Sequence, residues 1–290
     1  MRAHIKKVGM VVNHLKPSAP DMLLRLSKRA KTLGLQIVCC DPNTPDLPNM
    51  KRCDPEDFAG AVDVVIALGG DGTMLHAVRL LGGRDLPLIG VNIGSLGFMT
   101  SVADVDLERA MDALAAGEFT LSVRTTAEAE FFRGGVSHGV YRAVNDVVIG
   151  WGETSRVLSL SLAINGEPVG TYVCDGLICS TPTGSTGHSL SAGGPILLPE
   201  SPVFVINPIC PHTLSNRPMV VPDLSEIDIT VGPTEKHPLL VVDGQDHHQL
   251  RHDDRIAIRR SPTAFRLIHL TGYSYFSLLS RKLHWRASNL

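Results

Sequence analysis

Three stretches of this sequence carry residue types suited to handling a phosphorylated ligand. The first is Leu68-Gly69-Gly70-Asp71-Gly72-Thr73. Glycines let a backbone turn tightly and approach a ligand without Cβ clashes. A helix starting near Thr73 would present free N–H groups, a ready seat for phosphate. An acid amid phosphate-binding backbone makes sense if Asp71 is a base or sits close to a metal ion. The plainer reading is a strand-to-helix turn with Asp71 as the helix N-cap. The hexapeptide is neither a Walker A sequence nor a Rossmann G-x-G-x-x-G. The second stretch runs from Asp175 through Pro195 and is dense in hydroxyls and glycines, with apolar flanks and almost no charge. It suits recognition of an adenine and ribose, because a buried polar loop needs hydrogen-bond partners and a ligand would supply them. The third is Val144-Asn145-Asp146-Val147-Val148-Ile149. Asn can read an amide or base edge, and a carboxylate can accept two ribose hydroxyls. Alone, this pair would read as a bulge or turn at a strand end.

These stretches need elements to position them. Val8–Val12 reads as a strand, followed by a helix over Asp21–Leu33 with Gly34 at its C-cap. Leu35–Cys40 is a second strand. Asp41–Pro55 carries four prolines and reads as a loop. Val62–Leu68 is a continuous apolar run, as in a strand buried on both faces of a parallel sheet. Helical spacing over Thr73–Leu81, a strand over Leu86–Val91 and a helix over Asp104–Ala116 follow. Strands alternating with helices argue for βαβ units.

From about residue 118 the pattern changes to strict alternation: Leu158 to Ile164 before the hairpin pair Asn165-Gly166, then Ile227–Val231, Arg255–Arg259 and Phe265–Leu270. The predicted fold class is therefore an α/β N-terminal domain with a parallel sheet, plus a β-rich, antiparallel, sandwich-like C-terminal domain. The domains are placed at 1–118, joined by a C-terminal helix in 271–290, and at 119–270. Phe276, Leu279 and Leu283 mark the apolar face of that helix.

Composition narrows the function. Twenty-seven basic against 29 acidic residues give a net charge of −2, which excludes a nucleic-acid binder relying on bulk positive charge. With 43% apolar and 19% charged residues the chain is globular. Its apolar runs are far too short to span a bilayer, so no membrane partner is expected. The six cysteines form no C-x-x-C pair and read as reduced thiols of a cytoplasmic protein. His247, His248 and His252 come closest to zinc spacing, but a His-rich loop is the plainer reading.

In order and spacing, Gly-Gly-Asp-Gly-Thr at 69–73, Asn-Asp at 145–146 and Asp-Gly-x-x-x-Ser-Thr-Pro-Thr-Gly-Ser-Thr at 175–186 resemble the three signatures of the NAD kinase family, bacterial type. Pro211–Pro218 and Asp243-Gly244-Gln245 resemble further family segments. The first signature is shared with lipid kinases and phosphofructokinases and marks the chemistry more than the substrate. The resemblance implies ATP-dependent phosphorylation of the 2′-hydroxyl of the adenosine ribose of NAD, giving NADP. Asp71 would accept the hydroxyl proton and Gly72 would cradle phosphate. Asn145, Thr183 and Thr186 would contact adenine, and Asp146 the ribose hydroxyls. Asp175 and the segment Thr186, Gly187, His188, Ser189, Leu190 and Ser191 would line the nicotinamide-side pocket. His76, Arg156 and Gln245 fall at positions resembling the family's ligand contacts. A divalent cation, Mg²⁺ with the ATP, would offset triphosphate charge, with no metal ligand from the protein assigned. A homodimer or homotetramer is implied as well.

Two positions depart from the family pattern. Thr186-Gly187-His188 stands where the family usually has Thr-Ala-Tyr, and Val173 where a basic residue is common. Both bear on the choice between NAD and NADH. A lipid or sugar kinase with the same Gly-Gly-Asp-Gly-Thr chemistry and a dinucleotide sensor without turnover are the competing readings. The hydroxyl-rich loop speaks against the first, and an intact Asp71 against the second.

Overall fold

A computed structural model describes residues 5–151, 157–234 and 237–285. In chain order the elements are β1 (Lys7–Val12), α1 (Ala19–Leu33), β2 (Gln36–Cys39), β3 (Met50–Arg52), α2 (Pro55–Phe58), β4 (Val64–Gly69), α3 (Asp71–Leu80), β5 (Pro87–Asn92), β6 (Val102–Ala103), α4 (Leu107–Ala116) and β7 (Thr120–Arg124). Then come β8 (Ala127–Arg133), β9 (Val136–Ala143), β10 (Asp146–Gly150), β11 (Leu158–Ile164), β12 (Glu167–Cys174), β13 (Gly176–Ser180) and α5 (His188–Ser191). The chain continues through β14 (Val203–Ile209), β15 (Met219–Pro222), β16 (Ile227–Val231), β17 (Leu239–Val242), β18 (Asp246–Gln249), β19 (Arg255–Arg260), β20 (Phe265–His269) and α6 (Tyr275–Lys282). It divides into two compact units, Met1–Val123 with Phe265–Leu290, and Arg124–Ala264.

The first unit is built on a sheet of order β3-β2-β1-β4-β5-β20-β7, with β6 beside β5. Strands β1 to β6 and β20 pair in parallel. Every residue of β4 is buried, which explains its unbroken apolar run. Val64, Ile66 and Leu68 join a core with Met22, Leu23 and Leu26 of α1 and Leu107, Met111 and Leu114 of α4. Val65 turns to the opposite face, beside Phe58. Helix α1 ends at Gly34, whose φ of 68° is the left-handed cap that glycine takes without strain.

In the second unit the sheets β15-β14-β13-β10-β17-β18 and β12-β11-β16-β19-β8-β9 are antiparallel throughout. Their inward residues share one apolar core, including Val147, Ile149, Leu160, Leu177, Phe204, Ile229 and Ile256. Asn165 and Gly166, with φ of 52° and 79°, turn the β11–β12 hairpin as the Asn-Gly pair predicts.

Four local readings need correction. The proline-rich stretch 41–55 is not all loop: Met50–Arg52 adds an edge strand beside β2, and Pro55 opens α2. A three-residue edge strand with one apolar residue leaves no periodic signal. Phe265–Leu270 alternates like the antiparallel strands, yet β20 pairs in parallel with β5. Alternation reports which faces are buried and is blind to the partner. In α6 the buried residues are Leu278 and Leu279, while Phe276 is 66% exposed. Asp71 is not an N-cap: Gly70 takes that position and Asp71 is the first residue of α3.

Candidate active site

In the first unit the site is a turn at the end of a parallel strand. Strand β4 delivers Gly69 and Gly70, and α3 starts at once with Asp71. The Asp71 carboxylate does not bond its own helix. Its Oδ2 accepts from Phe98 N–H and its Oδ1 from Met99 N–H, both at 2.8 Å. Two backbone donors fix both oxygens, so the carboxylate is oriented without a positive side chain. The donor loop lies so close that a Cβ on Gly97 would collide with Asp71 Oδ1 and Thr100 Oγ1. By contrast, Gly70 and Gly72 have open space where a Cβ would stand. That open face, beside the positive end of α3, has room for phosphate. Gly72 and His76 are exposed on α3, and Asp71 is partly exposed. Two buried side-chain oxygens near this turn, Asn92 Oδ1 and Thr100 Oγ1, have no hydrogen-bond partner among the described residues.

In the second unit three segments converge. Asp243 has a φ of 52° and Gly244 of 66°, and they turn the chain between β17 and β18. This aims the Asp243 carboxylate at three successive backbone donors, Val144 N–H at 2.8 Å, Asn145 N–H at 2.7 Å and Asp146 N–H at 3.1 Å. From the other side, Thr181 N–H donates to Asn145 O at 2.8 Å. Thr181 Oγ1 donates to Val144 O at 2.5 Å. Gly184 rests directly on the Asn145 backbone, where any Cβ would overlap Asn145 O. The Asn145-Asp146 pair is thus clamped between the hydroxyl-rich segment and Asp243.

A cavity of about 760 Å³ opens beside this clamp, lined by Asn145, Asp146, Asp175 and His188 together with Trp151 and Cys210. Burial, reinforced by the negative charge of Asp243, pushes the Asp146 carboxyl up to about 7. Asp243 is raised too, because burial outweighs the three N–H groups that pull it down.

The hydroxyls of the 175–195 run are mostly spent inside the protein, contrary to the expectation that a ligand would satisfy them. Ser180 Oγ bonds Thr181 O at 3.0 Å, and Ser185 Oγ donates to Pro182 O at 2.7 Å while accepting from Leu197 N–H at 3.1 Å. Ser189 is fully buried, its carbonyl accepting from Asn207 Nδ2 at 2.9 Å. Thr186 Oγ1 reaches Thr183 O at 3.4 Å. Thr183 Oγ1, by contrast, is buried with no hydrogen-bond partner among the described residues.

Of the sequence-predicted residues, the cavity gathers Asn145, Asp146, Asp175 and His188. Thr183, Thr186, Gly187, Ser189, Leu190, Ser191 and Gln245 lie in the same unit without lining it. Asp71, Gly72 and His76 belong to the other unit. Arg156 lies outside the described residues. Sequence reasoning gave Asp243 no role; the Asp-Gly pair before Gln245, a left-handed turn signal, was the available clue. Among the described residues no group of three His, Cys, Asp or Glu side chains could hold a metal, and no helix is long and apolar enough to cross a membrane.

An acid at a glycine turn after a parallel strand, and a cavity on one face of a β-sandwich that presents an amide, carboxylates and an imidazole, suit a kinase acting on a small molecule. Residues 8–119 match the family described as ATP-NAD kinase N-terminal domain, and residues 144–270 the ATP-NAD kinase C-terminal domain. The NAD kinase of Laribacter hongkongensis is 38% identical over 284 residues, covering 97% of each chain. That of Geobacter metallireducens is 42% identical over 230 residues, covering 79% of this chain and 81% of its own. Yeast NADH kinase complexed with NADH superposes with a TM-score of 0.90 at 25% identity, covering 99% of this chain and 89% of that one. An NAD kinase from Archaeoglobus fulgidus in complex with ATP shares the fold, with a TM-score of 0.74 at 23% identity over 97% of this chain and 100% of that one. The chain belongs to the NAD kinase family and is an enzyme that phosphorylates NAD with ATP.

Proposed function

We propose that the enzyme transfers the γ-phosphoryl group of ATP to the 2′-hydroxyl of the adenosine ribose of NAD, with Asp71 as proton acceptor. The 2′-oxygen bonds to the γ-phosphorus, the bridging β–γ P–O bond breaks, and the hydroxyl proton passes to the Asp71 carboxylate. NADP and ADP leave. The supporting observation is the Asp71 carboxylate itself, oriented by the Phe98 and Met99 N–H groups beside the open faces of Gly70 and Gly72. A free aspartate is only a weak base, which suffices because phosphoryl transfer depends mainly on positioning and charge neutralisation.

The remaining roles follow the local chemistry. Asn145 and the unpartnered Thr183 hydroxyl suit the adenine edge, with Thr186 beside them. Asp146 suits the ribose hydroxyls, accepting two when ionised. Asp175 and His188 line the cavity that would take the nicotinamide side, with Gly187, Ser189, Leu190 and Ser191 shaping the short helix behind His188. Gly72 offers backbone to phosphate, and His76, Arg156 and Gln245 are further ligand contacts on this reading. A divalent cation, Mg²⁺, would arrive as the ATP complex and supply charge neutralisation at the phosphates. The protein would work in the cytoplasm as a homodimer or homotetramer. Exposed Val169 and Val173 on the edge strand β12 suit such an assembly, and sedimentation analysis tests it.

The deciding experiment mixes purified protein with NAD, ATP and Mg²⁺ and reads NADP with an NADP-specific dehydrogenase. NADP formation that requires ATP and is lost in Asp71→Asn is expected. Wild-type turnover in Asp71→Asn would remove Asp71 as proton acceptor.

A further inference from the structure

A triphosphate brings several negative charges to a turn whose one ionisable side chain, Asp71, is an acid. Lys16 answers this imbalance. In the sheet β4 lies between β1 and β5. Past the strand ends, Asn13 N–H still donates to Leu68 O at 2.9 Å and Ile93 N–H to Gly69 O at 3.1 Å. The loops after β1 and β5 therefore leave the sheet on either side of the glycine turn. Lys16 lies in the first loop and Gly94 in the second, and Lys16 Nζ sits 3.5 Å from where a Gly94 Cβ would stand. The lysine side chain thus reaches from the loop after β1 to the loop after β5, across the end of β4 from which the glycine turn departs.

Its backbone is tied down. Lys16 N–H donates to Asn13 O at 3.2 Å, and Lys16 O accepts from Ala19 N–H at 3.0 Å. Asn13 Oδ1 also accepts from Leu15 N–H at 3.1 Å. Its ammonium makes no hydrogen bond or ion pair among the described residues. Gly94 has a φ of +115°, a conformation that side chains rarely adopt, so the space beside it stays open to the lysine. The other ammonium near this loop is already committed: Lys282 Nζ donates to Leu96 O at 2.7 Å and lies 5.3 Å from the Phe98 ring.

We propose that Lys16 is a phosphate-binding residue whose ammonium holds the triphosphate of ATP against the open face of Gly70 and Gly72. The inference rests on the phosphoryl-transfer reading above and adds a cationic side chain from the loop after β1. NADP formation is measured against ATP and against NAD for the wild type, Lys16→Met and Lys16→Arg. Lys16→Met is expected to raise the KM for ATP by about tenfold or more, the loss of a charge-assisted contact. The KM for NAD should stay within about twofold, and Lys16→Arg should recover most of the loss because it restores the charge. An unchanged KM for ATP in Lys16→Met would overturn the assignment. So would a parallel rise in both constants, or an Arg variant no better than Met, either of which indicates a structural role. Calorimetric titration of Asp71→Asn and of Asp71→Asn/Lys16→Met with ATP and Mg²⁺ makes the same comparison without turnover. Weaker ATP binding in the double variant supports the role, and equal binding overturns it. Absence of NADP formation by the wild type would instead sink the underlying reading.

Discussion

Asp71 and Asp146 are the same side chain in opposite surroundings. Asp71 opens a helix, is partly exposed, and has both oxygens held by backbone N–H groups. Asp146 is 7% exposed, lies beside a second carboxylate and is pushed up to about 7. The first environment fixes the orientation of the carboxylate. The second disfavours charge and holds a carboxyl near its titration point at neutral pH. What sets Asp146 apart is burial first and the neighbouring Asp243 second; the three N–H groups nearby are given to Asp243, and even there burial outweighs them.

The sharpest break of this comparison is Asp71→Asn. If Asp71 is the proton acceptor, NADP formation falls by about 10²–10⁴-fold, the usual range for a general base. Dinucleotide binding, followed by titration with NAD, should stay near the wild-type value.

Asp243→Ala attacks the other environment. It leaves three backbone donors without their acceptor, and an unsatisfied buried group costs about 1–3 kcal/mol. Denaturant melts should show a loss of that order, and NAD binding should weaken as Asn145 and Asp146 lose their orientation. Gly184→Ala strikes the same segment from the opposite side, since its Cβ would overlap Asn145 O. Overpacking typically costs about 1–3 kcal/mol, and a raised KM for NAD with little change in that for ATP would locate the damage.

The raised Asp146 also fixes a sign. The unfolded chain loses this proton near 3.8 and the folded chain near 7, so between those values the folded state binds more protons. The contribution is therefore complete below the lower value, falls as pH rises through the window, and is flat above it. The slope is about 1.4 kcal/mol per pH unit at most. Asp146→Asn should abolish that slope, measured as the difference between wild-type and variant melts from pH 4 to 7.

The smallest expected effect is at His188, on the wall of the cavity. His188→Tyr restores the family's usual residue and should shift the ratio of NAD to NADH turnover by a few-fold, within about 1 kcal/mol, as a change in one wall contact allows. Parallel initial rates with the two dinucleotides check it.

Much of the architecture could be read from local chemistry. The apolar run at 64–68 had to be a strand covered on both faces, and the Gly34 cap and Asn165-Gly166 turn lie where their residue types demand. The family signatures located the Asp71 turn and the Asn145-Asp146 pair. Partners across long sequence distances were not legible. Nothing near residue 265 indicates that β20 joins the parallel sheet, nor does anything near 50 reveal β3. The hydroxyl-rich run looked like a surface of ligand donors, and yet Ser180, Thr181 and Ser185 bond the backbone around them. A hydroxyl's residue type does not say which acceptor comes within reach.

By itself the sequence determined the element types, the family and the side chains offered to the chemistry, because periodicity, turn conformation and signature spacing are properties of neighbouring residues. Tertiary structure decided how those side chains are used. Asp71 acquires its orientation from N–H groups 27 and 28 residues away. Asp146 takes its raised proton affinity from burial and from an aspartate at position 243. Hydrogen bonding and desolvation act through space at a few ångströms, and only the folded chain brings such distant residues that close.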